Sequence, residues 1–254
     1  MAEPLTPDAL RTIAAGIAAV QQRISSAATL AQRPPEQVRL LAVTKSHSAA
    51  VVRAAYSLGL RDFGENYAQE LAAKAEDLAD LTEARWHMIG HVQRNKVKLV
   101  TLWAAALHTV DSPKLVTELG KRAAEHPVPP VRQFAVGGRA DARLPVMVEV
   151  NVGGEKQKSG CTPEDLPVVV EAVEREPALR IAGLMTVPPH TNDAAGARPF
   201  FDRLVALREE HGGKGRLPEL SMGMTHDLEH AIAAGATIVR VGTAIFGSRA
   251  RRSR

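Results

Sequence analysis

The sequence has one cysteine, few aromatic residues and no long hydrophobic segment. Cys161 is the only cysteine among 254 residues, so no internal disulfide can form, which is typical of a reducing cytoplasm. Aromatic residues make up 4% of the chain, too few for a nucleic-acid surface built on stacked rings. No segment approaches the roughly 20 apolar residues that span a bilayer, and the first residues lack the pattern of a signal peptide. Composition therefore predicts a soluble cytoplasmic protein that binds neither membrane nor nucleic acid.

The net charge of +4 comes from the C-terminus. Arg249, Arg251, Arg252 and Arg254 account for four of the 32 basic residues, which leaves 28 basic against 28 acidic residues elsewhere. The body of the protein is therefore neutral. We expect the Arg-rich tail 249–254 to be a solvated terminus rather than a phosphate-binding arm.

The pattern of apolar residues predicts one α/β domain over 1–254. Thr6-Pro7 and apolar residues at helical spacing predict an additional N-terminal helix over about 7–31. Strands are predicted at 39–44, 62–64, 86–90, 107–110, 146–152, 180–187, 219–223 and 238–241, with helices near 48–58, 66–80, 92–104, 113–125, 163–175, 193–211 and 227–234. This alternation predicts a closed (β/α)₈ TIM barrel, with a doubly wound open sheet as the alternative. The segment 126–144, rich in proline and glycine, is predicted to be a mobile insertion loop without an assigned role.

Lys45 follows directly on the apolar run 40–44, and a helical segment begins within a few residues. Residues at the carboxyl ends of parallel strands form the active sites of α/β folds. Burial at such a position would favour the neutral amine, which is the nucleophile that forms a Schiff base. The alternative is a surface lysine at the end of a strand.

The ends of other predicted strands also carry candidate residues. They are Glu65 and Asn66 at the second strand, His91 at the third, Asn151 at the fifth, and Met185 and Thr186 at the sixth. The loops after strands seven and eight, which contain Gly223-Met224-Thr225 and Gly242-Thr243, are where this fold commonly binds phosphate through backbone N–H groups. Glycine permits close approach and threonine adds a hydroxyl donor. The alternative role for Thr225 is a helix N-cap.

Arg240 alternates with Val239 and Val241 along the last strand, which predicts that it points into the barrel mouth. An unpaired guanidinium would be costly there, so Arg240 is expected to face an acceptor, the alternative being an internal ion pair with Glu149. Pyridoxal 5′-phosphate fits these features together. It offers an aldehyde to the lysine, a phosphate to the glycine-containing loops and a ring nitrogen to the arginine.

Several strings in the sequence resemble the pyridoxal phosphate homeostasis protein family. They are LAVTK at 41–45, FGENY at 63–67, WHMIGHVQ at 86–93, KSG at 158–160, GLMT at 183–186, SMGM at 221–224 and VRVGTAIFG at 239–247. The resemblance runs from about residue 8 to residue 249 in family order. GENY at 64–67 and GTAIFG at 242–247 are fairly specific to the family, whereas MT or KSG alone would mean little.

The resemblance implies a single-domain barrel of the alanine-racemase type, fold-type III, that holds pyridoxal phosphate as a Schiff base on Lys45. The other implied cofactor-binding residues are Thr225, Gly242 and Thr243 at the phosphate, Arg240 near the pyridine nitrogen, and Asn66 and Met185 around the ring. Met224 is also implied to bind the cofactor, without a particular role. The family commonly has serine where this chain has Thr225, but the hydroxyl is kept and phosphate binding is expected to survive. His226 is expected to be solvated, and the insertion 126–144 is atypical of the family.

The implied function is pyridoxal phosphate homeostasis, meaning storage, buffering or delivery of the cofactor to apo-enzymes by a monomeric or weakly dimeric carrier. No dedicated reaction is expected. The alternative is an amino-acid racemase of the same fold, for which Tyr67 is the only plausible second acid or base. A lysine aldolase acting on a phosphorylated sugar is a third class. His87 and His91 are spaced across a strand and its turn, so no metal site is predicted.

Overall fold

In the computed structural model, which describes residues 5–126, 135–136, 141–155 and 157–247, eight parallel strands close into a barrel in sequence order. They are β1 (Arg39–Val43), β2 (Asp62–Glu65), β3 (Arg85–Met88), β4 (Ala106–Val110), β5 (Leu144–Glu149), β6 (Leu179–Met185), β7 (Glu219–Ser221) and β8 (Ile238–Val241). The barrel closes where β8 pairs with β1, with Arg240 opposite Leu41. The predicted closed barrel is confirmed, and the open-sheet alternative is wrong.

Ten α-helices accompany the strands in the described part of the chain. They are α1 (Pro7–Leu30), α2 (Ala49–Ser57), α3 (Ala68–Asp77), α4 (Val97–Trp103), α5 (Pro113–Glu125), α6 (Leu166–Arg175), α7 (Arg198–Glu210), α8 (Gly213–Arg216), α9 (Leu228–Ala234) and α10 (Thr243–Phe246). All seven helices predicted between the strands are present, and α8 and α10 were not predicted. The main differences lie at the ends of the predicted elements. For example, β5 was predicted over 146–152 but spans Leu144–Glu149, and the next residue, Val150, forms an isolated bridge with Cys161.

The N-terminal helix α1 begins at the predicted cap, where the Thr6 hydroxyl accepts a hydrogen bond from the Ala9 N–H. Its apolar face is buried against α9 and α10. At Gly16 a Cβ atom would lie 2.7 Å from the carbonyl oxygen of Ile245, so any side chain would push α1 away from α10. Glycine therefore sets the distance between α1 and the helix that follows β8.

Part of the predicted insertion loop packs into the barrel. Val136 is buried in the barrel interior with Leu41, Ala106 and Met147, and Arg39 at the start of β1 donates to the Ala135 carbonyl. No role was predicted for this segment, whereas Val136 fills space inside the barrel near the start of β1. The rest of the loop, 127–134 and 137–140, and the Arg-rich tail 249–254 lie outside the described residues.

Within the ranges described, no helix is both long enough and apolar enough to cross a membrane.

Candidate cofactor-binding site

A cavity of about 890 Å³ opens at the carboxyl ends of the barrel strands. Seven of the eight residues predicted to bind the cofactor line it: Lys45, Asn66, Met224, Thr225, Arg240, Gly242 and Thr243. The rest of the lining is formed by Val43, His47, Ile89, Lys158, residues 187–194, His226, Asp227 and Gly247. Met185 is not among the lining residues, because its side chain is 1% exposed and packs inside the barrel. Segments that are far apart in sequence thus meet at one opening.

Lys45 follows β1 and lines the cavity with a partly buried side chain. The next residue, Ser46, has a φ of +64°, which is uncommon for a residue other than glycine. The chain therefore turns sharply immediately after Lys45, and α2 begins only at Ala49. The lysine is placed at the cavity rather than on the outer surface of the barrel.

Glu65 and Asn66 are consecutive, yet only Asn66 lines the cavity. The Oδ1 atom of Asn66 is buried and accepts no hydrogen bond from the described residues. The position of Asn66 depends on Gly90, where a Cβ atom would lie 2.2 Å from the Asn66 carbonyl oxygen. Glycine at 90 thus allows the loop after β3 to support Asn66, whose side chain remains available to a ligand.

The loop after β7 is held from both sides. The Asp227 carboxylate turns back and accepts a hydrogen bond of 2.6 Å from the Met224 N–H. On the other side, Arg23 of α1 donates to the Thr225 carbonyl at 2.8 Å and forms two hydrogen bonds with Glu229, at 2.6 and 2.9 Å. Helix α9 is capped at Asp227, so the alternative role of Thr225 as an N-cap is wrong.

The loop after β8 comes close to β1. A Cβ atom at Gly242 would lie 3.0 Å from the Val43 carbonyl oxygen, so a side chain there would crowd the cavity wall. Thr243 opens α10 directly after Gly242, and the first N–H groups of a helix lack acceptors within the helix. This loop can therefore offer backbone donors to an anion beside the Thr225 loop.

Arg240 is 4% exposed and its guanidinium borders the cavity. One terminal nitrogen, Nη1, donates to the Ser221 carbonyl at 2.6 Å and to the Ser221 hydroxyl at 2.8 Å, and Nη2 donates to the Thr186 carbonyl at 2.9 Å. Burial lowers the pKa of Arg240 to about 10, opposed by the negative charge of Glu149, so the group is still cationic at pH 7. It forms no ion pair with Glu149 within 4.0 Å in the described structure, so the predicted alternative is wrong.

Behind Arg240, buried side chains form a hydrogen-bonded chain across the barrel interior, which we call the relay. Its members, in order, are Arg240, Ser221, His108, His87 and Asp62. The donor–acceptor distances are 2.8 Å from Arg240 to the serine, 2.9 Å from the serine to His108, 3.0 Å between the histidines and 2.9 Å from His87 to the aspartate. Arg85 holds the far end with two bonds of 2.7 Å to Asp62.

The chemistry of the relay sets the direction of every bond. Because the Ser221 hydroxyl accepts from Arg240, its own hydrogen is available for Nδ1 of His108. A neutral His108 then donates from Nε2 to Nδ1 of His87, and His87 donates from Nε2 to Asp62. Burial lowers the pKa of both histidines, more strongly for His108, which favours this neutral arrangement. Hydrogen bonds from Arg85 and His87 hold the pKa of Asp62 well below its usual range despite burial.

Glu149 lies near Arg240 at the end of β5, but it does not line the cavity. Its Oε2 atom is buried and has no hydrogen-bond partner within the described ranges. Burial raises the pKa of Glu149 to about 7, and the nearby Arg240 charge limits the rise. The carboxyl therefore changes charge near neutral pH.

The two histidines considered as metal ligands are separated. His87 is part of the relay, whereas the imidazole of His91 is about half exposed and lies 3.5 Å from the Asp111 carboxylate. The described residues contain no group of three or more side chains arranged to hold a metal ion.

Sequence reasoning missed the residues that support the site from behind: Arg23, Asp62, His108, Asp227 and, as a lining residue, Lys158. Arg23 lies in α1, which was predicted from its apolar residues alone. Asp62 begins a predicted strand and His108 lies within one, and an ionisable residue in a short strand of a barrel is the signal that could have found them. Their partners are up to 113 residues away, so the contacts themselves depend on the fold.

The fold and the cavity define a (β/α)₈ barrel of the alanine-racemase type with a lysine and an arginine at its mouth. The family model "Alanine racemase, N-terminal domain" matches residues 17–250. The chain is 45% identical over 240 residues to a pyridoxal phosphate homeostasis protein of Pseudomonas aeruginosa, covering 94% of this chain and 97% of that protein. It is 38% identical to one of Escherichia coli K12, covering 94% and 98%. The chain belongs to the pyridoxal phosphate homeostasis protein family.

Solved structures agree with this assignment. PipY of Synechococcus elongatus, whose structure was determined with pyridoxal phosphate bound, superposes with a TM-score of 0.74 at 33% identity, over 92% of this chain and all of that one. An alanine racemase of Corynebacterium glutamicum superposes with a TM-score of 0.62 at 16% identity, which shows a shared fold only. This chain covers 63% of that racemase.

Proposed function

We propose that this protein binds pyridoxal phosphate as a Schiff base on Lys45 and stores, buffers or delivers it within the cell. The main support for the proposal is that Lys45, the loops containing Thr225 and Thr243, and Arg240 all line the same cavity. Relatives at 38–45% identity are named pyridoxal phosphate homeostasis proteins, and PipY at 33% identity has the cofactor bound in its structure. Pyridoxal phosphate supplies an aldehyde that reacts with amines and a conjugated ring that withdraws electrons.

The lining residues fit the three parts of this cofactor. The Lys45 amine would bind the aldehyde, and N–H groups and hydroxyls at Thr225, Gly242 and Thr243 would bind the phosphate. Arg240 has five N–H donors, of which its described hydrogen bonds use three, so donors are left for the ring nitrogen. Asn66 would contact a ring substituent. Met185 lies inside the barrel and is not part of this proposal.

A carrier is favoured over a racemase by the position of Tyr67. Racemisation needs an acid or base on each face of the bound amino acid, one of them the lysine. The Tyr67 side chain is 61% exposed, and Tyr67 is not among the residues that line the cavity. We therefore propose no dedicated reaction. The proposal includes a cytoplasmic, monomeric protein whose partners are pyridoxal-phosphate-dependent apo-enzymes.

Spectrophotometric titration of the purified protein with pyridoxal phosphate tests the proposal. We expect a visible absorbance band in the wild type and in Lys158→Ala, the control that removes the other cavity lysine, and no such band in Lys45→Ala. A band that survives in Lys45→Ala would overturn the role of Lys45. No band in any variant would favour an aldolase or another phosphate-binding barrel.

Two further measurements separate carrier from enzyme. The wild type, loaded and then freed of unbound cofactor, should reactivate an added pyridoxal-phosphate-dependent apo-enzyme, whereas Lys45→Ala treated in the same way should retain no cofactor and should not. In D₂O, NMR should show no exchange of the α-proton of L-alanine above the rate given by free cofactor. Rapid exchange that depends on Tyr67 would establish the racemase instead.

A further inference from the structure

Helix α3 contacts the backbone on both sides of Lys45. Before the lysine, Nζ of Lys74 donates to the Thr44 carbonyl at 2.6 Å. After it, the Ser46 N–H donates to Oε1 of Glu70 at 2.5 Å. The two α3 residues also bind each other, with Nζ of Lys74 2.8 Å from the same Glu70 oxygen. The segment 44–46 is therefore held between two side chains of one helix.

A third charged residue completes this group. Oε1 of Glu65 accepts from Lys74 at 2.7 Å and from the Thr44 hydroxyl at 2.6 Å. All three ammonium protons of Lys74 thus have an acceptor, and its side chain is 8% exposed. We call Glu65, Glu70 and Lys74 the α3 clamp. None of the three lines the cavity, and their described contacts with the segment 44–46 are with the backbone of Thr44 and Ser46 and with the Thr44 hydroxyl.

The conformation of Ser46 explains why a clamp is needed. Its φ of +64° lies in the left-handed region, which L-residues other than glycine, asparagine and aspartate rarely occupy. Such a conformation persists only where the surroundings impose it. Two described hydrogen bonds hold this turn: the His47 N–H donates to the Thr44 carbonyl at 3.0 Å, and the Ser46 N–H donates to Glu70. The bond to Glu70 is the one that fixes the peptide group between Lys45 and Ser46, so without it we expect the turn to loosen and Lys45 to move.

We propose that the α3 clamp is a positioning device that holds the backbone at residues 44–46 so that the Lys45 amine faces the bound aldehyde. The inference rests on the proposed function of Lys45. Glu65, Glu70 and Lys74 are positioning residues and do not touch the cofactor. Presenting a reactive group in its productive geometry lowers the entropic barrier to bond formation.

The test compares Glu70→Ala with Glu76→Ala, which removes an exposed carboxylate from the same helix. In the protein without cofactor, amide hydrogen exchange at Ser46 should be slow in the wild type and in Glu76→Ala, and fast in Glu70→Ala. The rate at which pyridoxal phosphate becomes attached to Lys45, trapped by borohydride and located by peptide mapping, should fall about fivefold or more in Glu70→Ala alone. Glu70→Gln, which keeps an acceptor oxygen, should lie between the wild type and Glu70→Ala.

A second substitution distinguishes positioning from general stability. Glycine adopts a φ of +64° without the Cβ penalty. The double variant Ser46→Gly/Glu70→Ala should therefore regain most of the lost attachment rate, although its amide at 46 remains unprotected. Absence of this rescue, or a Glu70→Ala protein that reacts at the wild-type rate with a protected Ser46 amide, would overturn the clamp. A wild type that never reacts at Lys45 would instead overturn the proposed function.

Discussion

Removing the Ser221 hydroxyl should destabilise the protein although it creates almost no cavity. In the relay this oxygen accepts from Nη1 of Arg240 at 2.8 Å and lies 2.9 Å from Nδ1 of His108. In Ser221→Ala the Nδ1 atom loses its described partner inside the barrel. Arg240 keeps the carbonyls of residue 221 and Thr186, at 2.6 and 2.9 Å, and should stay in place.

The expected size of this effect follows from the buried acceptor. A buried polar group left without a partner costs about 1–3 kcal/mol, whereas an exchanged hydrogen bond is worth about 1 kcal/mol. His108 is fully buried, so we expect Ser221→Ala to lower the free energy of unfolding by about 1–3 kcal/mol at pH 7.5. Urea denaturation of the protein without cofactor measures it, since the midpoint shifts while the slope stays unchanged.

Thr101→Val is the matched control for this loss. The Thr101 hydroxyl is also buried, but its hydrogen bonds go to the Val97 and Lys98 carbonyls of its own helix at 3.3 Å. Those backbone carbonyls do not depend on the hydroxyl, so the control should change stability by less than about 0.5 kcal/mol. If Ser221→Ala is as stable as Thr101→Val, the described relay does not stabilise the barrel and the reasoning is refuted.

Glu149, the histidines of the relay and Arg23 give three further predictions. Burial raises the pKa of Glu149 from 4.5 to about 7, so this carboxyl lowers the stability of the protein as pH rises between these values. Glu149→Gln should therefore be more stable than the wild type by up to about 3 kcal/mol at pH 8 and equally stable near pH 4.5; urea midpoints that shift equally at both pH values would contradict this. Because burial lowers the pKa of His87 and His108, their contribution to stability is complete above about pH 6.5 and is lost as pH falls. At pH 6.5, ¹⁵N NMR should show both rings neutral with the hydrogen on Nε2. An imidazolium signal from either ring would be inconsistent with the relay. Arg23→Ala should weaken the binding of inorganic phosphate severalfold, measured by calorimetry, because Arg23 holds the Thr225 carbonyl. Arg11→Ala, which removes an exposed arginine from the same helix, should leave the affinity unchanged. Equal affinities in the two variants would show that α1 does not position the Thr225 loop.

The barrel could be predicted because its evidence is local. Short apolar runs alternate with helical segments, and a parallel sheet needs a crossover between each pair of strands. Once the strands are placed, their carboxyl ends must share one face, so Lys45, Asn66, Thr225 and Arg240 were expected together although they are far apart in sequence. Met185 was the exception, because it is the last residue of β6 and its side chain packs inside the barrel rather than at the mouth.

The supporting contacts could not be predicted, because they depend on side-chain direction and strand register. Glu65 and Asn66 are both polar residues that follow the predicted strand 62–64, yet Glu65 binds Lys74 of α3 while Asn66 lines the cavity. The relay requires His87 and Ser221 to meet His108 from opposite sides of the barrel interior. The register between β4 and β5 shifts at 107–110, and a sequence does not reveal such a shift.

The proposed function depends most on Lys45, as the residue that would hold pyridoxal phosphate. The most direct measurement is borohydride reduction of the protein loaded with one equivalent of cofactor, followed by proteolysis and mass spectrometry of the modified peptides. We expect a single phosphopyridoxyl group, attached to Lys45. Modification of Lys158, or modification spread over surface lysines with Lys45 intact, would contradict it.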